Sequence, residues 1–141
     1  MIPKLELLRK IPFFSAFPDD ATLEAFVNEG HWTKLGSGGV VYRVGDPANK
    51  IYIVLGGKIR ITRNNRNLTT LGPGDIFGEV GPFLNIARTV TAVSMGDSIL
   101  FEFEKAALDR VPLEIRYNIM KFLYIVTTKR FVETTRKITL T

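Results

Sequence analysis

Short β-type runs divided by turn residues, with helical patterns before and after them, predict a mainly β fold. The expected architecture is an antiparallel β-roll, jelly-roll-like, with N-terminal helices and one long C-terminal helix. Three observations carry this. Between about His31 and Glu104 the chain falls into runs of five or six residues punctuated by Gly, Pro, Asn and Asp. Leu113 to Lys137 then runs for 25 residues without Gly or Pro. A length of 141 residues, 45% hydrophobic and 11% aromatic, suits one domain with its own core. The whole chain, 1–141, is therefore read as one domain: helices over 1–30, the roll over 31–104 and helices over 105–141.

In the first zone Leu5, Leu8, Ile11 and Phe14 repeat at helical spacing, Pro12 and Pro18 interrupt, and Asp19 or Asp20 can cap a helix through Leu23, Phe26 and Val27. The expected strands are Gly39–Val44, Ile51–Leu55, Lys58–Arg63, Asn67–Leu71, Thr89–Ser94 and Ser98–Phe103. The turns between them include Gly45-Asp46-Pro47, Gly56-Gly57, Asn64-Asn65, Gly72-Pro73-Gly74-Asp75 and Gly96-Asp97. Strands this short and evenly spaced fit a sandwich or rolled barrel better than a parallel sheet. A short helix should end near Pro112, and the long helix after it carries a stripe of Ile115, Ile119, Phe122, Leu123 and Val126, continued by Phe131 and Ile138.

Composition removes several function classes. There is no cysteine, so disulfides, thiolate metal sites and cysteine nucleophiles are excluded. One histidine, His31, cannot by itself form a triad or a metal cluster, which argues against a cupin-type enzyme; the expectation is no catalysis, no metal and no cofactor. The glycines of Gly72–Gly78 lack the GxGxxG spacing of a dinucleotide site. No apolar run is long enough to span a membrane and no secretory leader opens the chain, so the expected location is cytoplasmic. The net charge of +5 lies wholly beyond residue 104, where eight basic residues face three acidic ones. That excess is either an attraction to nucleic acid, acidic lipid or an acidic partner, or a solvated helix face.

The segment Phe77–Val93, FGEVGPFLNIARTVTAV, concentrates the chemistry. Glu79 can accept a hydrogen bond from a ribose hydroxyl. The Gly78–Phe83 backbone can open a helical turn whose free N–H groups face an anion, and Arg88 can neutralise a phosphate. The pattern suits a small anionic sugar phosphate. Equally, Arg88 could pair with Glu79 in a plain ion pair, Gly78 could be a turn residue only, and Thr89 a β-branched strand residue only.

Val41–Gly57, VYRVGDPANKIYIVLGG, resembles the first signature of the cyclic nucleotide-binding domain family, and Phe77-Gly78-Glu79 followed by Arg88-Thr89 resembles the second. Helices, roll and long C-terminal helix come in the same order, so the likeness covers nearly the whole chain. It implies a phosphate-binding cassette over 77–93 that holds cAMP, or else cGMP. Glu79 would accept the ribose 2′-hydroxyl, Arg88 would pair with the cyclic phosphate, and Gly78 would allow close backbone approach. Val80 would line the same turn, and Thr89 would place a hydroxyl near phosphate or purine. Two residues depart from the pattern: Pro82 replaces an aliphatic residue and removes one N–H, and Val90 replaces a small alanine.

The C-terminal helix should supply the purine lid. Lys129–Lys137 is similar to the corresponding helix of catabolite-activator-like members of the family, which nominates Thr134 and Thr135 for the base, with Arg130 nearby and Phe131 stacking or packing. Thr127 and Thr128 offer a second hydroxyl pair on the same helix. The expected function is a regulatory module that senses a cyclic nucleotide and moves its C-terminal helix, with a homodimer through that helix. With no winged helix-turn-helix after the long helix, direct DNA binding by this chain is not expected. The output would pass to an effector protein or to an output domain outside this sequence. The alternative is a degenerate member that docks a partner without nucleotide.

Overall fold

The structure is a computed structural model that describes residues 5–139, with side chains through residue 137. Ile138 of the sequence stripe and the first four residues of the N-terminal zone lie outside those descriptions. Helix α1 (Leu5–Leu8), a 3-10 turn (Pro12–Ala16) and helix α2 (Asp20–Val27) open the fold. Asp19 provides the cap: its carboxylate accepts the Thr22 N–H at 2.8 Å, and this bond holds its carboxyl below the usual carboxylate range.

Eight strands follow: β1 (His31–Leu35), β2 (Val40–Tyr42), β3 (Lys50–Gly56), β4 (Ile59–Arg63), β5 (Arg66–Leu71), β6 (Ile76–Phe77), β7 (Thr91–Ser94) and β8 (Ser98–Glu104). They form two antiparallel sheets, ordered β1-β8-β3-β6 and β2-β7-β4-β5, which is the β-roll the sequence predicts. Helix α3 (Val80–Leu84) sits between β6 and β7, and a 3-10 turn (Lys105–Arg110) leads into the long helix α4 (Leu113–Thr139). Two strands escape the sequence runs. In β1, HWTKL lacks a clean apolar alternation, and β6 is two residues long, fixed only by pairing Phe77 and Ile76 with Tyr52 and Ile53.

Strand alternation divides the interior into two cores. Ile51 and Ile53 of β3, with Phe101 and Phe103 of β8, face the helices, whereas Tyr52, Val54 and Leu100 face the other sheet. The helix-side core is built on aromatic rings: Phe13 lies 5.3 Å from Phe14 and 5.5 Å from Phe103, and Phe26 meets Phe103 edge-on at 5.0 Å. Ile115, Ile119 and Leu123 of α4 are buried in this core, with Phe122 and Val126 packed against it and Phe122 at 6.2 Å from Phe13. The stripe from Ile115 to Val126 is therefore consumed by packing within the chain, whereas its continuation at Phe131 is exposed. A second line on α4, made of Leu113, Tyr117, Met120, Tyr124 and Phe131, stays exposed.

Gly30 joins α2 to β1 where any side chain would collide: a Cβ would lie 2.2 Å from Cζ of the fully buried Phe101 and 2.7 Å from the Glu102 carbonyl. Gly30→Ala should cost about 1–3 kcal/mol through overpacking. Urea denaturation at unchanged m-value is the check, with a lowered midpoint as the expected result.

Candidate functional site

The Phe77–Val93 segment begins where β6 ends. Gly78 adopts φ +80°, and a Cβ there would stand 3.0 Å from Arg88 Nη1 and 3.2 Å from Tyr52 Cδ2, so glycine answers both the backbone conformation and the close approach. Helix α3 starts immediately after Glu79 and stops at Asn85, which takes the left-handed conformation at φ +56°. Pro82 is the third residue of α3, where the N–H would have no intrahelical partner, so it breaks no helix bond. It does take one donor from the turn. Gly81 allows the loop before β3 to close in, since a Cβ on it would meet the Ala48 Cβ at 2.5 Å.

Arg88 is buried, with 6% of its surface exposed. Its main chain is clasped by the turn after β2: the Arg88 N–H donates to the Asp46 carbonyl at 2.9 Å, and the Arg88 carbonyl accepts the Gly45 N–H at 2.8 Å. The Asp46 carboxylate in turn accepts the Arg43 N–H at 2.9 Å. The guanidinium donates to the Gly78 and Lys50 carbonyls, both at 2.6 Å, and lies 4.0 Å from the centroid of the Tyr42 ring. Its Nε is buried without an acceptor among the described residues. Burial pushes the Tyr42 phenol up to about 12, against the opposing pull of Arg88, and burial also raises the Tyr52 phenol.

Glu79 does not pair with Arg88. Its buried carboxylate accepts the Thr127 hydroxyl at 3.1 Å and the Arg130 Nη1 at 3.3 Å, both from α4, and Arg130 Nη2 also donates to the Ile76 carbonyl. These groups border one cavity of about 370 Å³, within the usual range for a small-molecule pocket. Its walls are the Gly78–Gly81 turn, Ile86–Val90, Tyr42, Ile61 and Leu71 from the roll, and Thr127, Arg130, Phe131 and Thr134 from α4.

Of the residues nominated from sequence, Gly78, Glu79, Val80, Arg88, Thr89, Arg130, Phe131 and Thr134 line this cavity. Thr135 is not among the lining residues; its hydroxyl donates to the Phe131 carbonyl at 2.9 Å, and that of Thr134 donates to the Arg130 carbonyl at 2.9 Å. The hydroxyl that reaches across to Glu79 belongs to Thr127, of the second pair. Tyr42, Ile61 and Leu71 were not nominated. An aromatic residue just before the Gly45-Asp46 turn was the one available signal for Tyr42.

The sequence model of the family described as cyclic nucleotide-binding domain matches residues 32–113. The chain is similar to the cAMP-dependent protein kinase regulatory subunit of Eremothecium gossypii, with 33% identity over 79 residues that make up 56% of this chain and 17% of that protein. It therefore spans less than a fifth of that relative's length. Among solved structures it is similar to a cyclic nucleotide-binding domain from Methylobacillus flagellatus KT, with TM-score 0.80 and 19% identity over 95% of this chain and 79% of that one. It is also similar to the regulatory subunit of a cAMP-independent protein kinase A from Trypanosoma brucei, with TM-score 0.75 and 17% identity over 93% of this chain and 48% of that one. At these identities the structural likeness establishes the fold. Among the described residues no helix is long and apolar enough to cross a membrane.

The tie between Glu79 and α4 can be measured without any ligand. Arg130→Met leaves the buried carboxylate with Thr127 alone and should lower the unfolding free energy by about 1–3 kcal/mol. A double-mutant cycle with Glu79→Gln checks the assignment, the expected result being that the second change recovers part of the loss.

Proposed function

The chain belongs to the cyclic nucleotide-binding domain family, and from that premise we propose that it is a cytoplasmic regulatory module that binds a cyclic mononucleotide, cAMP or else cGMP. The observation that carries this reading is the pairing in one cavity of a buried Arg88 guanidinium, which has no carboxylate partner among the described residues, with a Glu79 carboxylate tied to α4. The cyclic phosphate would meet Arg88 and the N–H groups that open α3, with Gly78 allowing the approach and Val80 beside it. The ribose 2′-hydroxyl would donate to Glu79. The base would lie toward Thr89, Val90 and the α4 residues Arg130, Phe131, Thr134 and Thr135.

Coupling to α4 follows from competition for one carboxylate. Thr127 and Arg130 both hold the Glu79 carboxylate, and a ribose hydroxyl that takes the same oxygens would change the link between roll and helix. The shift is only as large as the ligand's difference in affinity for the two helix positions. The module works without catalysis and hands its signal to an effector protein or a joined output domain. The exposed line on α4 supports a homodimer. Leu113 and Met120 stand seven residues apart, as do Tyr117, Tyr124 and Phe131 in turn, which is the spacing of a two-helix seam. That Glu79 is already satisfied from within the chain favours one other reading, a partner-docking module with a self-filled pocket.

Calorimetry separates the two. The parent protein should bind cAMP and Arg88→Gln should lose about 2–5 kcal/mol, roughly 30-fold to several thousand-fold in affinity, with the fold intact by circular dichroism. No heat from cAMP or cGMP with the parent would favour the docking module. Hydrogen exchange supplies the mechanistic check: amide protection over residues 113–137 should change when cAMP is added. A response confined to the roll would make α4 a passive strut.

A further inference from the structure

We propose that Tyr42 is the positioning residue that holds Arg88 ready for an anion, a ring face taking the place of a counter-ion; the proposal rests on the cyclic nucleotide reading of the cavity. A guanidinium this deeply buried needs compensation for the water it has lost. Two neutral main-chain carbonyls, of Gly78 and Lys50, accept from its two terminal nitrogens at 2.6 Å. Among the described residues no carboxylate lies within 4.0 Å of it. Two tyrosines complete its surroundings: the π-face of Tyr42 lies 4.0 Å from Cζ to the ring centroid, whereas the Tyr52 ring is more distant at 5.8 Å and its hydroxyl interacts with the guanidinium instead.

The surroundings fix that ring. Tyr42 lies 5.8 Å from Tyr52 and 6.1 Å from Phe77, and Tyr52 stacks on Phe77 at 5.3 Å and 19°. The β2–β7 register shifts between Val40 and Tyr42, an irregularity of the kind that re-aims a side chain. Below about pH 12 the phenol stays protonated, so the ring carries no full negative charge at working pH.

Neutrality is what makes the arrangement suit an anion site. A carboxylate against Arg88 would cancel its charge and repel an incoming phosphate. The ring quadrupole attracts the cation through a fixed partial charge and leaves its full positive charge for the ligand. Affinity for a charged ligand should then depend on the ring of Tyr42 and not on its hydroxyl, while a neutral ligand should depend on the ring far less.

The test is calorimetry on the full chain with cAMP and with adenosine, which shares base and ribose but lacks the phosphate. Tyr42→Phe should bind cAMP within about threefold of the parent. Tyr42→Leu should lose about 5- to 30-fold for cAMP, several times more than it loses for adenosine. Tyr42→Ile stands in if the leucine variant does not fold. An unchanged cAMP affinity in the leucine variant, an equal loss for both ligands, or a phenylalanine variant as weak as the leucine one would each overturn the proposal. A ligand-free arm separates this from the functional reading. The Arg88 Nε–Hε resonance should keep its ring-current shift in Tyr42→Phe and lose it in Tyr42→Leu. If the parent binds no cyclic nucleotide, the cyclic nucleotide reading fails, and this resonance alone decides whether Tyr42 holds the guanidinium. A resonance unmoved in the leucine variant overturns it.

Discussion

Removing a cation from water costs several kcal/mol unless fixed dipoles replace the hydration it loses, and Arg88 meets that cost without a carboxylate among the described residues. Each replacement comes from a different part of the roll. The Gly78 carbonyl is turned toward Arg88 by a backbone that needs φ +80°, the Lys50 carbonyl sits at the start of β3, and the Tyr42 ring closes β2. The two sheets and the cassette therefore converge on one side chain.

Glu79 is arranged on the opposite principle. Its charge is compensated across an interface, by groups on α4 that could leave. The Arg130 side chain is 34% exposed, so water screens part of its attraction and the pair is weaker than a sealed one. An ion pair of intermediate strength suits the exchange proposed above, in which a ribose hydroxyl takes the same carboxylate. Helix α4 meanwhile stays anchored at its N-terminal half by Ile115, Ile119 and Leu123. In the proposed coupling, the roll would change its grip on the second half of the helix without releasing the first.

The readability of this fold from sequence follows the range of the interactions involved. Six strands were legible because apolar runs and turn residues are local signals, and Glu79 and Arg88 because charges stand out in an apolar, glycine-bearing segment. Their partners were not legible. Glu79 meets Arg130 across 51 positions, and local pattern holds no record of that pairing. The α4 hydroxyls show the limit well. Thr127 and Thr134 are seven residues apart and share a helix face, so spacing cannot choose between them. The choice is made by the height at which α4 rests on the roll, which depends on how Ile119 and Leu123 pack into the aromatic core and where Phe122 meets Phe13.

The main-chain clasp between the Gly45-Asp46 turn and Arg88 has a consequence for remodelling this pocket. Because the two loops are joined backbone to backbone, and because Gly81 and Ala48 leave no room between them, loop length is the constrained quantity on that side. One residue inserted or deleted in either loop would slide the guanidinium off its carbonyls, whatever amino acid was added. The wall supplied by α4 meets the roll through side chains. A combinatorial library seeking new ligand preferences belongs on positions 127, 131 and 134, where shape can vary while the register of Arg88 is kept.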